Sequence, residues 1–327
     1  MNPSSHLSLI IDLSPSQWHL SAQSNNSYPL SFQTFLSHVL TFVNSHLAFK
    51  HENTLAVFGA LPGRSMMLYS SLDATSANSN DPPADANSYR PFKLVNSVVA
   101  NNIQKELDAI ERLTEEPPVA LVGALTKALC CKYQPFGPST TRKRGNEATT
   151  SVDPRILILS VSPDLSASYI PVMNSIFSAQ KLKVTIDVCK VFGEETVFLQ
   201  QAAHLTGGSY IYLGRRDAFL QYLTMSFLPP PSMRHIIAVP QQDKVDFRAA
   251  CFCHKNIVDI GFVCSVCLSI FCSPVPVCST CRTKFPMKTL QHLNASRPSI
   301  PPANGVSNGA PRPPSARPNP GMSASLR

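Results

Sequence analysis

The sequence contains no long uninterrupted apolar run, and its N-terminus has no positively charged stretch followed by an apolar one. A transmembrane helix needs about 20 mostly apolar residues in succession. A secretory signal needs a basic segment and then an apolar segment. We therefore expect a soluble, intracellular protein with no membrane association, in which closely spaced cysteines are more typical of metal ligands than of disulfides.

Sequence patterns of several enzyme classes are also missing. The chain has no glycine-rich phosphate loop, no Gly-x-Ser-x-Gly elbow and no His-Glu-x-x-His pair. These patterns mark nucleotide hydrolases, α/β-hydrolases and zinc peptidases. His204 and His235 each stand alone among apolar residues. We predict that the protein is not an enzyme and has neither catalytic residues nor an organic cofactor.

Acidic residues are absent after Asp259, whereas lysine and arginine continue to the end of a chain with net charge +8. Most of the excess positive charge therefore lies in the C-terminal region. Its basic residues are single and widely spaced, without interleaved aromatic side chains that stack on bases. We expect a diffuse attraction to polyanions and no direct sequence-specific nucleic-acid binding.

Two apolar periodicities alternate over residues 1–228. Continuous apolar runs such as RILILSV, at 155–161, are typical of strands buried on both faces of a parallel sheet. Apolar residues three and four apart, as from Phe32 to Leu47, predict amphipathic helices between such strands. The alternation predicts an α/β fold with a doubly wound, mostly parallel sheet flanked by helices. Polar segments at about 72–90 and 134–154 predict mobile insertions.

Composition divides the remainder of the chain into three parts. Three consecutive prolines, from Pro229 to Pro231, end the α/β domain and begin a linker over 229–247. Clustered cysteines predict a small zinc-stabilised domain over 248–290. Residues 291–327 are basic, rich in proline and poor in large apolar side chains. We expect this segment to be a disordered tail, because it cannot bury a core.

The most specific chemical pattern is a pair of Cys-x-x-Cys turns. Cys264 and Cys267 form the first, and Cys278 and Cys281 form the second. Each turn can direct two thiolates at one point, and two turns supply the four soft ligands of a closed tetrahedral zinc site. Since four protein ligands leave no position for water, we predict a structural zinc ion.

Four further metal-ligand residue types lie beside these turns: Cys251, Cys253, His254 and Cys272. They are candidates for a second zinc ion in a cross-braced, RING-like arrangement. The spacing is unusual, because Cys-x-Cys is tighter than a common zinc knuckle and Val275 stands where a partner for Cys272 would be expected. The alternative is that the four residues pack in the core of the finger.

The segments LQQAAHLTGGSYIYL, at 199–213, and RAACFCHKNIVDIGFVCSVCLSIFC, at 248–272, resemble a known family. Over about residues 5–285 the chain is similar to the smaller of the two von Willebrand A subunits of the general transcription and DNA-repair factor TFIIH. The resemblance implies a von Willebrand A-type domain, a C4 zinc finger and a nuclear, non-catalytic scaffold of the TFIIH core. It also implies docking to the larger von Willebrand A subunit, which carries a RING-like zinc domain, and support of the helicase subunits in transcription initiation and nucleotide excision repair.

The turn Asp12-Leu13-Ser14-Pro15-Ser16 follows the first predicted strand and offers hard oxygen ligands for Mg²⁺ or Ca²⁺. In metal-binding von Willebrand A domains, the residues that correspond to Asp12, Ser14 and Ser16 provide three ligands to the cation. A threonine and an aspartate from two other loops complete the ligand set. Here the second loop, at 117–129, is apolar before Gly123, and the fourth strand ends on Ser160. Asp164 lies beyond Pro163. We therefore predict a degenerate turn that holds no functional cation.

Two alternative functions remain open from the sequence. A RING-like ubiquitin-ligase component would also use a cysteine cluster to bind partners, but it would need two cross-braced zinc ions. A metal-dependent ligand-binding von Willebrand A protein would need a cation at Asp12. The number of bound zinc ions tests the first alternative, and titration with Mg²⁺ and Mn²⁺ tests the second.

Overall fold

The computed structural model describes residues 4–71, 89–110, 117–131, 152–164, 169–234, 236–237, 240, 245, 247–249, 251–254, 258–267 and 269–295. In this part of the chain the main sheet consists of β1 (Ser4–Asp12), β2 (Thr54–Leu61), β3 (Arg64–Ser70), β4 (Val152–Ser160), β5 (Thr185–Lys190) and β6 (Tyr210–Tyr212). Its helices are α1 (Pro15–Ala22), α2 (Phe32–Phe49), α3 (Arg90–Ile110), α4 (Leu121–Cys131), α5 (Tyr169–Lys181), α6 (Val197–Thr206) and α7 (Phe219–Tyr222).

The strands of the main sheet lie in the order β3-β2-β1-β4-β5-β6. Every pair is parallel except β2 and β3, which are antiparallel and close together in sequence. The strand order reverses between β1 and β4, so helices connect strands on both sides of the sheet. The predicted doubly wound, mostly parallel α/β fold is confirmed.

Two apolar cores cover the two faces of the sheet. In β1, Leu9 and Ile11 contribute to one core and Ile10 to the other, because successive side chains of a strand point to opposite faces. The first core packs against α1, α2, α3 and α7, and the second packs against α4, α5 and α6. This burial on both sides explains why the central strands are apolar without alternation.

The described residues after the α/β domain form short elements. A 3₁₀ turn, Pro231–Met233, follows a π-helical turn at Leu223–Phe227 that continues α7. Strands β7 (Phe262–Val263) and β8 (Ile270–Phe271) pair in antiparallel fashion, and helix α8 (Met287–Ala295) follows. A small core around Phe271 includes Cys264 and Cys278.

The structure corrects several details of the sequence-based interpretation. The Ser-Pro turn at 14–16 begins helix α1, because Ser14 caps it through the Gln17 N–H and Pro15 takes the first helical position. Helix α3 begins at Arg90, strand β4 begins at Val152, and helix α8 continues into the predicted tail as far as Ala295. Residues 72–88 and 134–151 of the predicted insertions, and residues 296–327 of the predicted tail, lie outside the described residues.

Within the described residues, no helix is both long enough and apolar enough to cross a bilayer.

Candidate metal centres

The four thiols predicted to bind zinc meet at one point. The sulfur atoms of Cys264, Cys267, Cys278 and Cys281 all lie within 4.8 Å of one another. The Cys264 and Cys281 sulfurs are 3.7 Å apart, and the Cys267 and Cys278 sulfurs are 3.5 Å apart. A tetrahedral zinc ion with bonds of about 2.3 Å to sulfur would separate its thiolates by about 3.8 Å. The residues therefore fit a zinc ion in both donor type and spacing.

The two Cys-x-x-Cys turns share one backbone hydrogen bond. In the first turn the Cys264 N–H donates to the Ser269 carbonyl at 2.9 Å, and in the second the Cys278 N–H donates to the Thr283 carbonyl at the same distance. The Arg282 N–H also donates to the Cys278 carbonyl at 2.9 Å, with Arg282 in the left-handed region. Each turn thus has a backbone hydrogen bond that closes it beside its two thiols.

The second cysteine of each turn contacts a hydroxyl two residues later. Cys267 Sγ lies 3.1 Å from Ser269 Oγ, and Cys281 Sγ lies 3.1 Å from Thr283 Oγ1. Hydrogen bonds from the Ser269 hydroxyl and backbone N–H lower the pKa of the Cys267 thiol to about 6. The corresponding bonds from Thr283 lower the pKa of Cys281. Because the thiolate is the metal ligand, this environment favours ligation. The pattern Cys-x-[Ser/Thr] is visible in the sequence, but its role was not recognised there.

The second candidate set also comes together. The ligand atoms of Cys251, Cys253, His254 and Cys272 lie within 4.8 Å of one another. The chain turns at 252–254, which brings the first three side chains to Cys272 at the end of β8. This set does not need a cysteine at position 275, because three of its ligands come from the segment at 251–254 and the fourth is Cys272.

The two sets alternate along the chain. Cys251, Cys253 and His254 come first, the turn at 264–267 belongs to the other set, Cys272 returns to the first, and the turn at 278–281 completes the second. This order is the cross-braced one that the sequence left open.

The Asp12 turn lies at the carboxyl end of β1, but its oxygen atoms already have partners. The fully buried Asp12 carboxylate accepts hydrogen bonds from the Ser162 N–H at 2.7 Å, the Val161 N–H at 3.0 Å, the Ser162 hydroxyl at 3.0 Å and the Ser14 N–H at 3.3 Å. The hydroxyls of Ser14 and Ser16 lie 3.1 Å apart. Burial raises the pKa of Asp12, and the bonds from Ser162 and Val161 oppose that shift.

A buried lysine, which the sequence analysis missed, lies at the same edge of the sheet. Lys190 ends β5, and its Nζ donates to the Ser162 carbonyl at 2.5 Å. Burial lowers the pKa of Lys190 to about 8, while attraction to Asp12 and Asp164 acts in the opposite direction. The protein therefore places its own ammonium group near the two carboxylates of this edge.

The two other loops at this edge do not complete a metal site either. Asp164 accepts from the Phe198 N–H at 3.0 Å, at the start of α6, so its carboxylate caps a helix. The second loop contributes the apolar side chains of Val119, Leu121 and Val122 to a small cavity shared with Ser160 and Asp164. These contacts support the prediction of a degenerate turn.

The opposite edge of the sheet anchors the linker. The buried Arg155 donates through Nη1 to the Phe227 carbonyl at 2.6 Å and through Nη2 to the Leu228 carbonyl at 3.2 Å. Arg234, from the linker, donates to both carboxylate oxygens of Asp187 on β5, at 2.5 and 2.6 Å. Further along, the ring of Phe247 lies 5.1 Å from that of His204 on α6. The linker thus contacts the α/β domain at Arg234 and again at Phe247.

Comparison with known families gives a match over nearly the whole of the described chain. The profile of a family described as Transcription factor Tfb4 matches residues 4–282. This range includes both the α/β domain and the two cysteine-rich sets.

Curated relatives cover most of the chain as well. A Schizosaccharomyces pombe protein named General transcription and DNA repair factor IIH subunit tfb4 is 39% identical over 285 residues, which is 87% of this chain and 90% of the relative. An Arabidopsis thaliana protein named General transcription and DNA repair factor IIH subunit TFB4 is 34% identical, over 89% of this chain and 92% of the relative.

Among solved structures, the crystal structure of the TFIIH p34 N-terminal domain is similar to the α/β domain. It covers 69% of this chain and 98% of the solved chain, with a TM-score of 0.56 and 28% sequence identity. Together with the sheet order, this similarity confirms the predicted fold of the von Willebrand A type.

Proposed function

Because the chain belongs to the Tfb4 family of transcription factors, we propose that it is a non-catalytic structural subunit of the TFIIH core. It acts in the nucleus, in transcription initiation by RNA polymerase II and in nucleotide excision repair. The names of the relatives, which are subunits of general transcription and DNA repair factor IIH, support this proposal most directly.

The proposed role within the complex is to bind other subunits. The chain binds the larger von Willebrand A subunit, which carries a RING-like zinc domain. Together the two subunits support the helicase subunits. The finger supports a protein-binding role, because it exposes apolar side chains whose contact with water is unfavourable. These side chains are Ile260, Val263, Val266, Val277 and Met287.

We further propose that the thiols of Cys264, Cys267, Cys278 and Cys281 hold a structural zinc ion. The single observation that supports it best is the convergence of four sulfurs at the spacing of a tetrahedral site. The protein fills all four positions, so the ion has no open position for water or substrate. Its contribution is to fold a segment whose own core is too small, and apparent binding free energies of such sites are about 10–16 kcal/mol.

The two alternatives raised from the sequence have different support. A metal-dependent ligand binder is disfavoured, because Ser14, Val161 and Ser162 already hydrogen-bond the Asp12 carboxylate. A ubiquitin-ligase component is favoured by one observation, the alternating ligand order. An autoubiquitination assay with the purified chain separates it from the scaffold, which forms no ubiquitin conjugates.

The assembly itself is tested by affinity purification of the tagged full chain from nuclear extract, followed by quantitative mass spectrometry. We expect the larger von Willebrand A subunit and both helicases in near-equal amounts to the bait, and none of them with the tag alone. Recovery of the chain without any TFIIH subunit would overturn the proposal.

A further inference from the structure

We propose that Cys251, Cys253, His254 and Cys272 hold a second zinc ion, which ties the segment just after the linker to the β7–β8 hairpin. This inference does not depend on membership of TFIIH. It begins from the four ligand atoms, which lie within 4.8 Å of one another although they come from two segments of the chain.

The distances fit one tetrahedral ion. Cys253 Sγ lies 3.5 Å from Cys272 Sγ, and Cys272 Sγ lies 3.3 Å from His254 Nδ1. With bonds of about 2.3 Å to sulfur and about 2.0 Å to nitrogen, a tetrahedral zinc ion would give separations of about 3.8 Å and 3.5 Å. Both measured separations are therefore within a few tenths of an ångström of the values expected for a tetrahedral ion. The geometry assigns Nδ1, rather than Nε2, as the histidine ligand.

Disulfide formation does not account for the cluster. A disulfide would bring two sulfurs to about 2.05 Å, whereas Cys253 and Cys272 are 3.5 Å apart and none of the cysteines of the cluster is part of a disulfide. Core packing, the alternative left open by the sequence, does not account for it either, because Cys253 and His254 are exposed. Exposed polar groups that converge on a point without burial indicate a ligand.

The donor set selects the metal. Three thiolates and one imidazole are soft or borderline donors, which suit zinc and exclude Mg²⁺ and Ca²⁺, whose ligands are oxygens. Four protein ligands make the site closed and therefore structural. Three thiolates with a neutral imidazole leave the centre with one net negative charge, compared with two at the four-thiolate centre.

Backbone bonds place the first three ligands against the hairpin without help from the ion. The Phe252 N–H donates to the Ile270 carbonyl at 2.7 Å, and the Phe252 side chain packs on the small finger core. Cys251 is buried beside it. The proposed ion then connects this segment to Cys272, two residues beyond Ile270. The segment at 251–254 and the hairpin thus become one body.

The two centres differ in exposure, which predicts different stability toward chelators. The four-cysteine set has two buried and two half-buried ligands, whereas the second set has one buried, one half-buried and two exposed ligands. We expect a mild chelator to remove the second ion at least tenfold faster than the first.

The experiment measures zinc in the purified full chain by native mass spectrometry and elemental analysis. We expect two ions in the wild type and in Cys130→Ser, whose exposed cysteine lies outside both sets. We expect one ion in Cys272→Ser. One ion in the wild type, under conditions that saturate the four-cysteine set, would overturn the inference.

Cobalt substitution keeps the test decisive if Cys272→Ser unfolds the finger. Wild type loaded with Co²⁺ should take up two ions with two distinct visible spectra, one for four sulfurs and one for three sulfurs and a nitrogen. His254→Cys should still bind two ions, with both spectra of the four-sulfur type. An unchanged spectrum in His254→Cys would contradict His254 as a ligand. Neither failure would alter the recovery of TFIIH subunits that tests the proposed function.

Discussion

The Arg234 guanidinium forms two parallel hydrogen bonds with the Asp187 carboxylate, at 2.5 and 2.6 Å, at the edge of the sheet opposite the Asp12 turn. Both side chains are nearly buried, with 9% and 2% of their surface exposed. Because Asp187 belongs to β5 and Arg234 to the linker, this pair fixes the position at which the chain leaves the α/β domain. The linker is therefore attached at its first turn, in contrast to a freely moving connection.

Replacement of Asp187 by asparagine tests this attachment. The change leaves the guanidinium of Arg234 buried without a carboxylate, and Arg155 also loses a favourable charge. Loss of one partner of a buried pair costs about 3–5 kcal/mol. We expect that decrease in the free energy of unfolding, measured in urea. Asp217→Asn, which breaks the exposed pair with Arg215, is the matched control and should unfold at the wild-type urea concentration. Equal stability of the two variants would contradict a role for the buried pair.

The buried His46 predicts a loss of stability in acid. Burial, together with the nearby positive charge of Arg155, lowers the pKa of His46 to about 3. The unfolded chain therefore binds a proton at His46 near pH 6.5, whereas the folded chain does not. Protonation of His46 therefore leaves the free energy of unfolding unchanged above pH 6.5. As the pH falls from 6.5 toward 3, this free energy decreases by about 1.4 kcal/mol per pH unit.

Unfolding in urea at pH 7, 6 and 5, compared between wild type and His46→Gln, measures this dependence. The cysteine-rich sets are the same in both proteins, so the acid sensitivity of any metal they hold cancels in the difference. We expect the stability of the wild type relative to the variant to fall with decreasing pH. His51→Gln, at an exposed position, should follow the wild type at every pH. A pH-independent difference for His46→Gln would argue against the buried neutral histidine.

Titration with Mg²⁺ and Mn²⁺ examines the turn at Asp12. We expect no binding heat for the wild type, because the Asp12 carboxylate accepts four hydrogen bonds and the Lys190 ammonium supplies positive charge at the same edge. Asp12→Ala should behave in the same way in calorimetry. A heat that appears in the wild type and disappears in the variant would show that a cation competes successfully with these internal partners.

Removal of zinc from the four-cysteine set should unfold the finger and leave the α/β domain intact. The finger core is small, with Cys264, Phe271 and Cys278 as its buried members, so burial alone cannot replace the metal. In Cys278→Ser we expect hydrogen exchange to become fast over 258–285 and to stay slow in β1 and β4. The matched variant Cys130→Ser should keep wild-type exchange throughout. Protection of the finger in Cys278→Ser would contradict the structural role of the ion.

Local sequence patterns were sufficient to predict strand β4, helix α2 and the residues that meet in the two cysteine-rich sets. The reason is physical, because burial of β4 on both faces requires a continuous apolar run, and a zinc knuckle requires two cysteines within one turn. The helix after Asp12 was missed, since Ser-Pro begins a turn as readily as a helix. Only the packing of Trp18 in the first core decides between them.

The partners of charged residues could not be predicted from sequence. Lys190 and Ser162 meet across neighbouring strand ends, Arg155 of β4 meets the Phe227 carbonyl, and Arg234 of the linker meets Asp187 of β5. No local periodicity encodes such contacts, because they depend on the order of strands in the sheet. The alternation of the two candidate ligand sets, in contrast, follows directly from the order of their residues in the sequence.

That alternation determines how the finger can unfold. The interval from Cys251 to Cys272 and the interval from Cys264 to Cys281 overlap along the chain, so the segment from Cys264 to Cys272 lies inside both closed loops. With two consecutive, separate loops, one could open while the other stayed closed and unaffected. With both proposed ions in place, the shared segment is held from both sides. Loss of the more exposed ion would leave this segment held by the four-cysteine set alone, so the two loops would open in a fixed order, with the loop from Cys251 to Cys272 first.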